Sequence, residues 1–127
     1  MNSYRELQIF TISKELAIRV HFMTLALPRF EVYEEGNQIR RSSKAVTTLI
    51  VEGYGRRRYK ADFIKFLIYS ISECDETLLH LEFLFETKSL KDVDIYNDLK
   101  AKYIQLSKQI NKYIQWVENS NYTSSKK

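Results

Sequence analysis

Glycine and proline are scarce in this chain, with three Gly and one Pro among 127 residues. A many-turned β-sandwich or barrel needs far more of that punctuation, whereas Leu, Ile, Lys and Glu are plentiful here. The single cysteine, Cys74, excludes an internal disulfide. The opening MNSYRELQIF has no unbroken apolar run of the kind a signal peptide carries, and nowhere do about 18 apolar residues follow one another. A reducing cytoplasm and no membrane are therefore expected. What is present is a length suited to one compact domain and an apolar share of 44%, enough to fill one core.

Apolar residues recur at helical spacing in four stretches. Ile9, Ile12, Leu16, Val20, Met23 and Leu27 form a first stripe, closed by Pro28. Ile39, Ser42, Val46, Ile50 and Gly53 form a second, ended by Gly53 and Gly55 on either side of Tyr54. The third and longest helix is expected from about Tyr59 to Thr87, with a stripe of Phe63, Leu67, Ser70, Cys74, Leu78, Leu81 and Phe85. Capping side chains around Ser89, Asp92 and Asp94 precede the fourth stripe, Ile95, Leu99, Tyr103, Leu106, Ile110, Tyr113 and Val117. The spacing predicts an all-α protein, an antiparallel up-and-down four-helix bundle in a single domain over 1–119, with a flexible polar tail over 120–127.

Two helices carry more apolar surface than such a bundle buries. Leu7, Ile18, Phe22 and Leu25 lie roughly opposite the first core stripe, and Ile64, Ile68, Leu79 and Phe83 roughly opposite the third. Contiguous apolar faces of this kind mark interfaces, so these eight residues are expected to pack against copies of the same chain in a homo-oligomer.

Charge is distributed unevenly. Between Gly36 and Lys65 stand eight basic residues, Arg40, Arg41, Lys44, Arg56, Arg57, Arg58, Lys60 and Lys65, against Glu52 and Asp62. That local excess of six exceeds the +4 of the whole chain, and a concentrated positive field attracts a polyanion. Arg40, Arg41, Lys44, Arg56, Arg57, Arg58 and Lys60 are the candidate phosphate contacts. Tyr54 and Tyr59, flanking the basic turn, are candidates to stack on unpaired bases. The plainer alternative is a solvated cationic face partly paired to Glu31, Glu34 or Glu35, with the tyrosines filling one end of the bundle.

Nothing in the sequence builds a catalytic site. The residue three before His21 is Ile18 and the one before His80 is Thr77, so the paired Glu-x-x-His motifs of di-iron bundles are absent. Glu73, Glu76 and His80 read as a polar flank, Cys74 as a small core hydrophobe, and GYGRRR lacks the lysine and spacing of a phosphate-cradling loop. A metal-dependent nuclease assembled from Glu52, Asp62 and Asp75 rests on scattered carboxylates alone. The expectation is no enzyme, no metal and no cofactor.

Three runs carry a family resemblance: LPRFEVYEEGNQIRRSS from Leu27 to Ser43, VEGYGRRRYKADFIKFL from Val51 to Leu67, and SECDETLLHLEFLFETKSL from Ser72 to Leu90. In order and spacing they closely resemble the bacterial four-helix-bundle proteins encoded in intervening sequences of 23S ribosomal RNA genes. The resemblance implies a bundle that assembles as a homopentameric ring, and kinship with the accessory proteins of diversity-generating retroelements, which bind nucleic acid and a reverse transcriptase. Arg40 and Arg41 match the family's paired arginines, Gly53, Gly55 and Arg56 its glycine-arginine turn, and Asp62 with Phe63 the start of its next helix. Leu49 departs from an expected Asn. The combined expectation is an oligomeric, non-enzymatic nucleic-acid-binding protein with RNA the favoured ligand. The alternative is a protein-interaction adaptor serving a reverse transcriptase or a ribosomal component.

Overall fold

The structure, a computed structural model, describes residues 3–120; the expected tail beyond residue 120 lies outside them. A 3-10 turn at Tyr4–Glu6 leads into five helices: α1 (Gln8–Leu25), α2 (Arg29–Tyr33), α3 (Glu35–Gly55), α4 (Lys60–Glu86) and α5 (Val93–Asn119). There is no strand among the described residues. The four long helices form an antiparallel up-and-down bundle in which each packs on its neighbours in chain order and α5 closes on α1. The backbones of the diagonal partners α1 and α4 do not approach closely. The short α2, absent from the sequence reading, is one turn of helix that starts at Pro28, whose carbonyl accepts from Glu31 and Val32.

Each boundary has a local cause. Ser3 caps the opening turn through Arg5 N–H, and Asp92 caps α5 by accepting from Asp94 and Ile95 N–H at 3.0 and 3.1 Å. Buried Glu31 accepts from Glu35 N–H at 3.2 Å and from the Ser89 hydroxyl at 2.5 Å, holding the start of α3 against the α4–α5 loop. After α4 the chain turns at Lys88, whose φ of 67° is left-handed, while Leu90 N–H returns to Leu84 O at 2.9 Å.

The core follows the predicted stripe on α3 and is displaced by one residue in places on α4 and α5. Thr77 and Leu84 are buried more fully than Leu78 and Phe85, and Tyr96 and Ile114 take the places expected of Ile95 and Tyr113. Ile95 is exposed, because α5 meets α4 through Tyr96, which stacks on Phe85 with centroids 4.0 Å apart. Small residues let α3 and α4 approach closely. Ser42 and Thr77 share a hydrogen bond of 2.8 Å, Ser70 donates to Val46 O at 2.8 Å, and Gly53 lies against Phe63 and Phe66. Gly53 and Gly55 do not end α3 as turn residues; both are helical, neither has positive φ, and Gly53 serves close packing. The thinner α1–α5 seam is bridged by Arg19 on Asp98 at 2.7 Å, while Lys102, one turn on along α5, meets the same carboxylate at 2.7 Å; the two hydrogen bonds, Lys102 first, hold the Asp98 carboxyl below its usual pKa.

Two of the eight expected interface residues belong elsewhere. Leu7, 2% exposed, sits in the core, because the 3-10 turn folds it under the start of α1. Ile64 is half-buried and packs on the core from α4. The other six remain on the outside: Ile18, Phe22 and Leu25 on α1, with Phe22 66% exposed, and Ile68, Leu79 and Phe83 on α4.

Candidate nucleic-acid interface

The basic segment is divided by the helix that carries it. Arg40 and Arg56 are separated by about 24 Å of α3 at 1.5 Å per residue, so the residues of the cationic run fall at different heights and on different faces.

Arg40 is tied into the fold. Its guanidinium donates to Thr24 Oγ1 and to Val32 O, both at 2.8 Å, fastening α3 to the end of α1 and to α2. Gly36 makes room for it: a Cβ there would meet Glu31 O at 2.7 Å and the Arg40 guanidinium at 3.2 Å. Lys44, on the same side, meets His21 Nδ1 at 3.2 Å. Arg41 faces the other way, into a polar groove of about 280 Å³ between α3 and α4 that Glu73, Glu76 and His80 also line. Burial, and then the Glu76 carboxyl beside it, push the Glu73 pKa up to about 7, against the opposing charge of Arg41. The His80 ring donates from Nδ1 to the Glu35 carboxylate at 2.6 Å. Glu31 and Glu35 are thus taken by Ser89 and His80, and the expected arginine pairs to them do not form.

The turn from α3 to α4 gathers the rest. Arg56, Arg57 and Arg58 are all exposed there, and no carboxylate pairs with Arg56 or Arg57 among the described residues. Each lies over a ring: Arg56 over Phe66 at 4.6 Å, Arg57 over Tyr54 at 4.0 Å, Arg58 over Tyr59 at 5.9 Å. Tyr54 is 6% exposed, packed edge-on against Phe63 and covered by Arg57, so its face cannot receive a base. Tyr59 is half-buried. Lys60 is committed to the C-terminal end of α5, donating to Glu118 O at 3.3 Å and Ser120 O at 2.9 Å.

The bundle is consequently polarised. Arg56, Arg57, Arg58 and Lys60, with Asp62 and Glu118, stand at the end where α3 and α5 finish, whereas Glu31, Glu34, Glu35, Glu86, Asp92 and Asp94, with Arg29, Lys88 and Lys91, stand at the end where they begin. Sequence reasoning missed three residues at the cationic end: Phe66, which seats Arg56, and Lys112 with Trp116 on the last turns of α5. Trp116 was findable as the chain's one tryptophan, placed off the α5 core stripe. Cys74, fully buried in the middle of the bundle, has its thiol pushed up to about 12, first by burial and then by Asp75 and Glu73, and is inert as a nucleophile. The buried Tyr103 hydroxyl makes no geometrically satisfactory hydrogen bond among the described residues, burial holds its pKa above the usual range, and the Ser43 hydroxyl beside it, which opposes that shift, donates to Arg40 O.

These features define a helical-bundle protein with two outward apolar faces and one cationic end. The chain belongs to the 23S rRNA-intervening sequence protein family, which it matches over residues 5–112. Among solved structures it is similar to a protein with unknown function from the S23 ribosomal protein family of Bacteroides thetaiotaomicron, with a TM-score of 0.73 and 25% identity over 84% of this chain and 98% of that one. No curated protein matches it. No helix among the described residues is long and apolar enough to cross a membrane.

Proposed function

We propose that this protein is a non-enzymatic, oligomeric nucleic-acid-binding protein that holds the phosphate backbone, RNA by preference, through the cationic end of its bundle. The observation that carries this reading is the exposed Arg56–Arg58 turn, whose guanidiniums are seated on aromatic rings and, at Arg56 and Arg57, unmatched by any carboxylate. A guanidinium stacked by its face keeps its N–H edges for phosphate oxygens. Arg41 and Lys44 contribute long-range field from the flanks, and Tyr59 borders the turn.

The protein assembles, on this reading, as a homopentameric ring. The outward stripes of α1 and α4 stand on diagonal helices and so face away from each other, which suits a head-to-tail contact between copies; a ring forms where the rotation between successive copies closes. Phe22, Ile18 and Leu25 of one copy would meet Ile68, Leu79 and Phe83 of the next. Five cationic ends on one ring raise the local field well beyond that of a single copy. Cys74 fits a reducing cytoplasm.

Titrating the oligomer with structured RNA, single-stranded RNA and duplex DNA under fluorescence polarisation tests the binding, and sedimentation tests the ring. Tight, salt-sensitive binding and a mass five times 15.2 kDa are expected; a monomer at micromolar concentration would remove the ring from the account. The second reading, a protein adaptor serving a reverse transcriptase, draws on the exposed Phe30 and Tyr33 of α2 at the acidic end. A partner protein retained after nuclease treatment, with no affinity for purified nucleic acid, would favour it.

A further inference from the structure

Trp116 is the largest side chain of the protein and the chain's single tryptophan, yet it is 59% exposed. It stacks on Tyr113 with centroids 5.5 Å apart and planes 26° from parallel. The pair walls a cleft of about 500 Å³ between the start of α1 and the last turns of α5. Leu7 and Ile9 also line it, with the amides of Gln8 and Gln109 and the charges of Lys112 and Glu6.

The cleft and the arginine turn share one end of the bundle, the cleft on its α5–α1 side and the turn on its α3–α4 side. Tyr113 packs edge-on against Phe63 at 6.0 Å, Phe63 against Tyr54 at 6.2 Å, and Tyr54 carries Arg57 on its outer face. Lys60 adds a second tie, from the first residue of α4 to the last carbonyls of α5. These rings span the end of the bundle between the two sites, and a single strand of several nucleotides held on the arginine turn can cross that end to reach the Trp116 ring.

We propose that this cleft takes one unpaired nucleobase, stacked on Trp116, from a single strand whose phosphates are held by the arginine turn and Lys112. The proposal rests on the nucleic-acid reading above and names the part of the ligand that the arginines do not contact. A flat aromatic face is matched by a base of any identity. Gln8 and Gln109 carry both donors and acceptors, so they can meet the polar edge of a purine or a pyrimidine. Glu6 can accept from an exocyclic amino group and offers nothing to a phosphate. A purely apolar occupant would leave these amides and both charges without partners, which argues against a partner helix.

Because Trp116 is the sole tryptophan, its emission reports this cleft alone. The full chain is titrated with a labelled single-stranded RNA of about ten nucleotides and with an abasic ribose-phosphate strand of the same length, following label polarisation and tryptophan emission together. Both strands are expected to bind, but only the base-bearing one quenches Trp116. Trp116→Ala, at an exposed position that does not support the core, is expected to weaken the base-bearing strand about tenfold and to bind the two strands alike, while Trp116→Phe restores part of the difference. Polarisation showing binding with an unmoved emission overturns the cleft and leaves the nucleic-acid reading standing. Emission that follows protein concentration and not added strand assigns the cleft to another copy of the chain and overturns the proposal. Absence of binding by either strand overturns both.

Discussion

The guanidinium of Arg57 lies 4.0 Å above the Tyr54 ring and donates to the Tyr54 carbonyl at 2.9 Å. The same side chain therefore satisfies a terminal carbonyl of α3 and covers a buried aromatic ring, while its neighbours in sequence serve the outside. Arg57→Ala is expected to cost about 1 kcal/mol of stability, read as a lower denaturation midpoint, with nucleic-acid affinity changed less than by Arg56→Ala. A loss of affinity as large as that of Arg56→Ala would give Arg57 an equal share of the phosphate contact.

Arg40 holds three elements together through Thr24 and Val32. Arg40→Ala leaves the Val32 carbonyl without its donor and is expected to cost about 2 kcal/mol. Arg40→Lys should recover little of this, since one ammonium does not reproduce a two-pronged fork. The folded variants should bind RNA as the parent does; chemical denaturation paired with polarisation separates the two effects.

Gly53 and Gly55 are two residues apart and should respond oppositely to alanine. A Cβ on Gly53 would stand 3.1 Å from Phe66 Cβ and 3.3 Å from the Phe63 ring, whereas one on Gly55 meets nothing within 4 Å. Both positions are helical. Gly55→Ala is expected to stabilise by about 0.5 kcal/mol through helix propensity, and Gly53→Ala to destabilise by about 1 kcal/mol or more as α4 is forced outward. Thermal midpoints of the two variants give the comparison directly.

Glu73 makes stability depend on pH. With its pKa raised from 4.5 to about 7, the folded protein keeps a proton that the unfolded chain has released, so stability falls as pH rises through that window and levels off above it. Solvent reaches the Glu73–Glu76 pair, which limits the loss to about 1 kcal/mol. Glu73→Gln should flatten the profile between pH 4.5 and 7. Stability that climbs with pH across the same interval in the parent, and falls to the variant's level below it, would contradict the assignment.

Periodicity made the four long helices legible because a 3.6-residue stripe needs no knowledge of the partner it packs on. It placed Val46, Leu67, Cys74 and Leu106 inside, where they are fully buried. It did not show α2, since five residues after a proline are too few to display a period. It set Tyr113 where Ile114 is deeper, because the orientation of α5 about its axis is decided by α4 and α1. At the cationic end the sequence showed which charges exist but not what each one touches. Arg40 and Arg41 are adjacent in sequence yet face different neighbours, one bonded to Thr24 and the other lining the Glu73 groove. Tyr54 read as an aromatic beside arginines and is one, but the arginine covers its face from outside. Such pairings depend on where the chain turns, which composition does not encode.

The most direct test of a phosphate-binding cationic end is the salt dependence of single-stranded RNA affinity, measured by polarisation between about 50 and about 200 mM salt, for the parent and for the Arg56→Ala/Arg58→Ala double variant. The account predicts a log-log slope of about −2 per protomer engaged in the parent, falling to less than half of that in the variant while its fold and oligomeric mass are unchanged. An equal slope in both proteins would show that these arginines do not meet the phosphates, and would contradict the account.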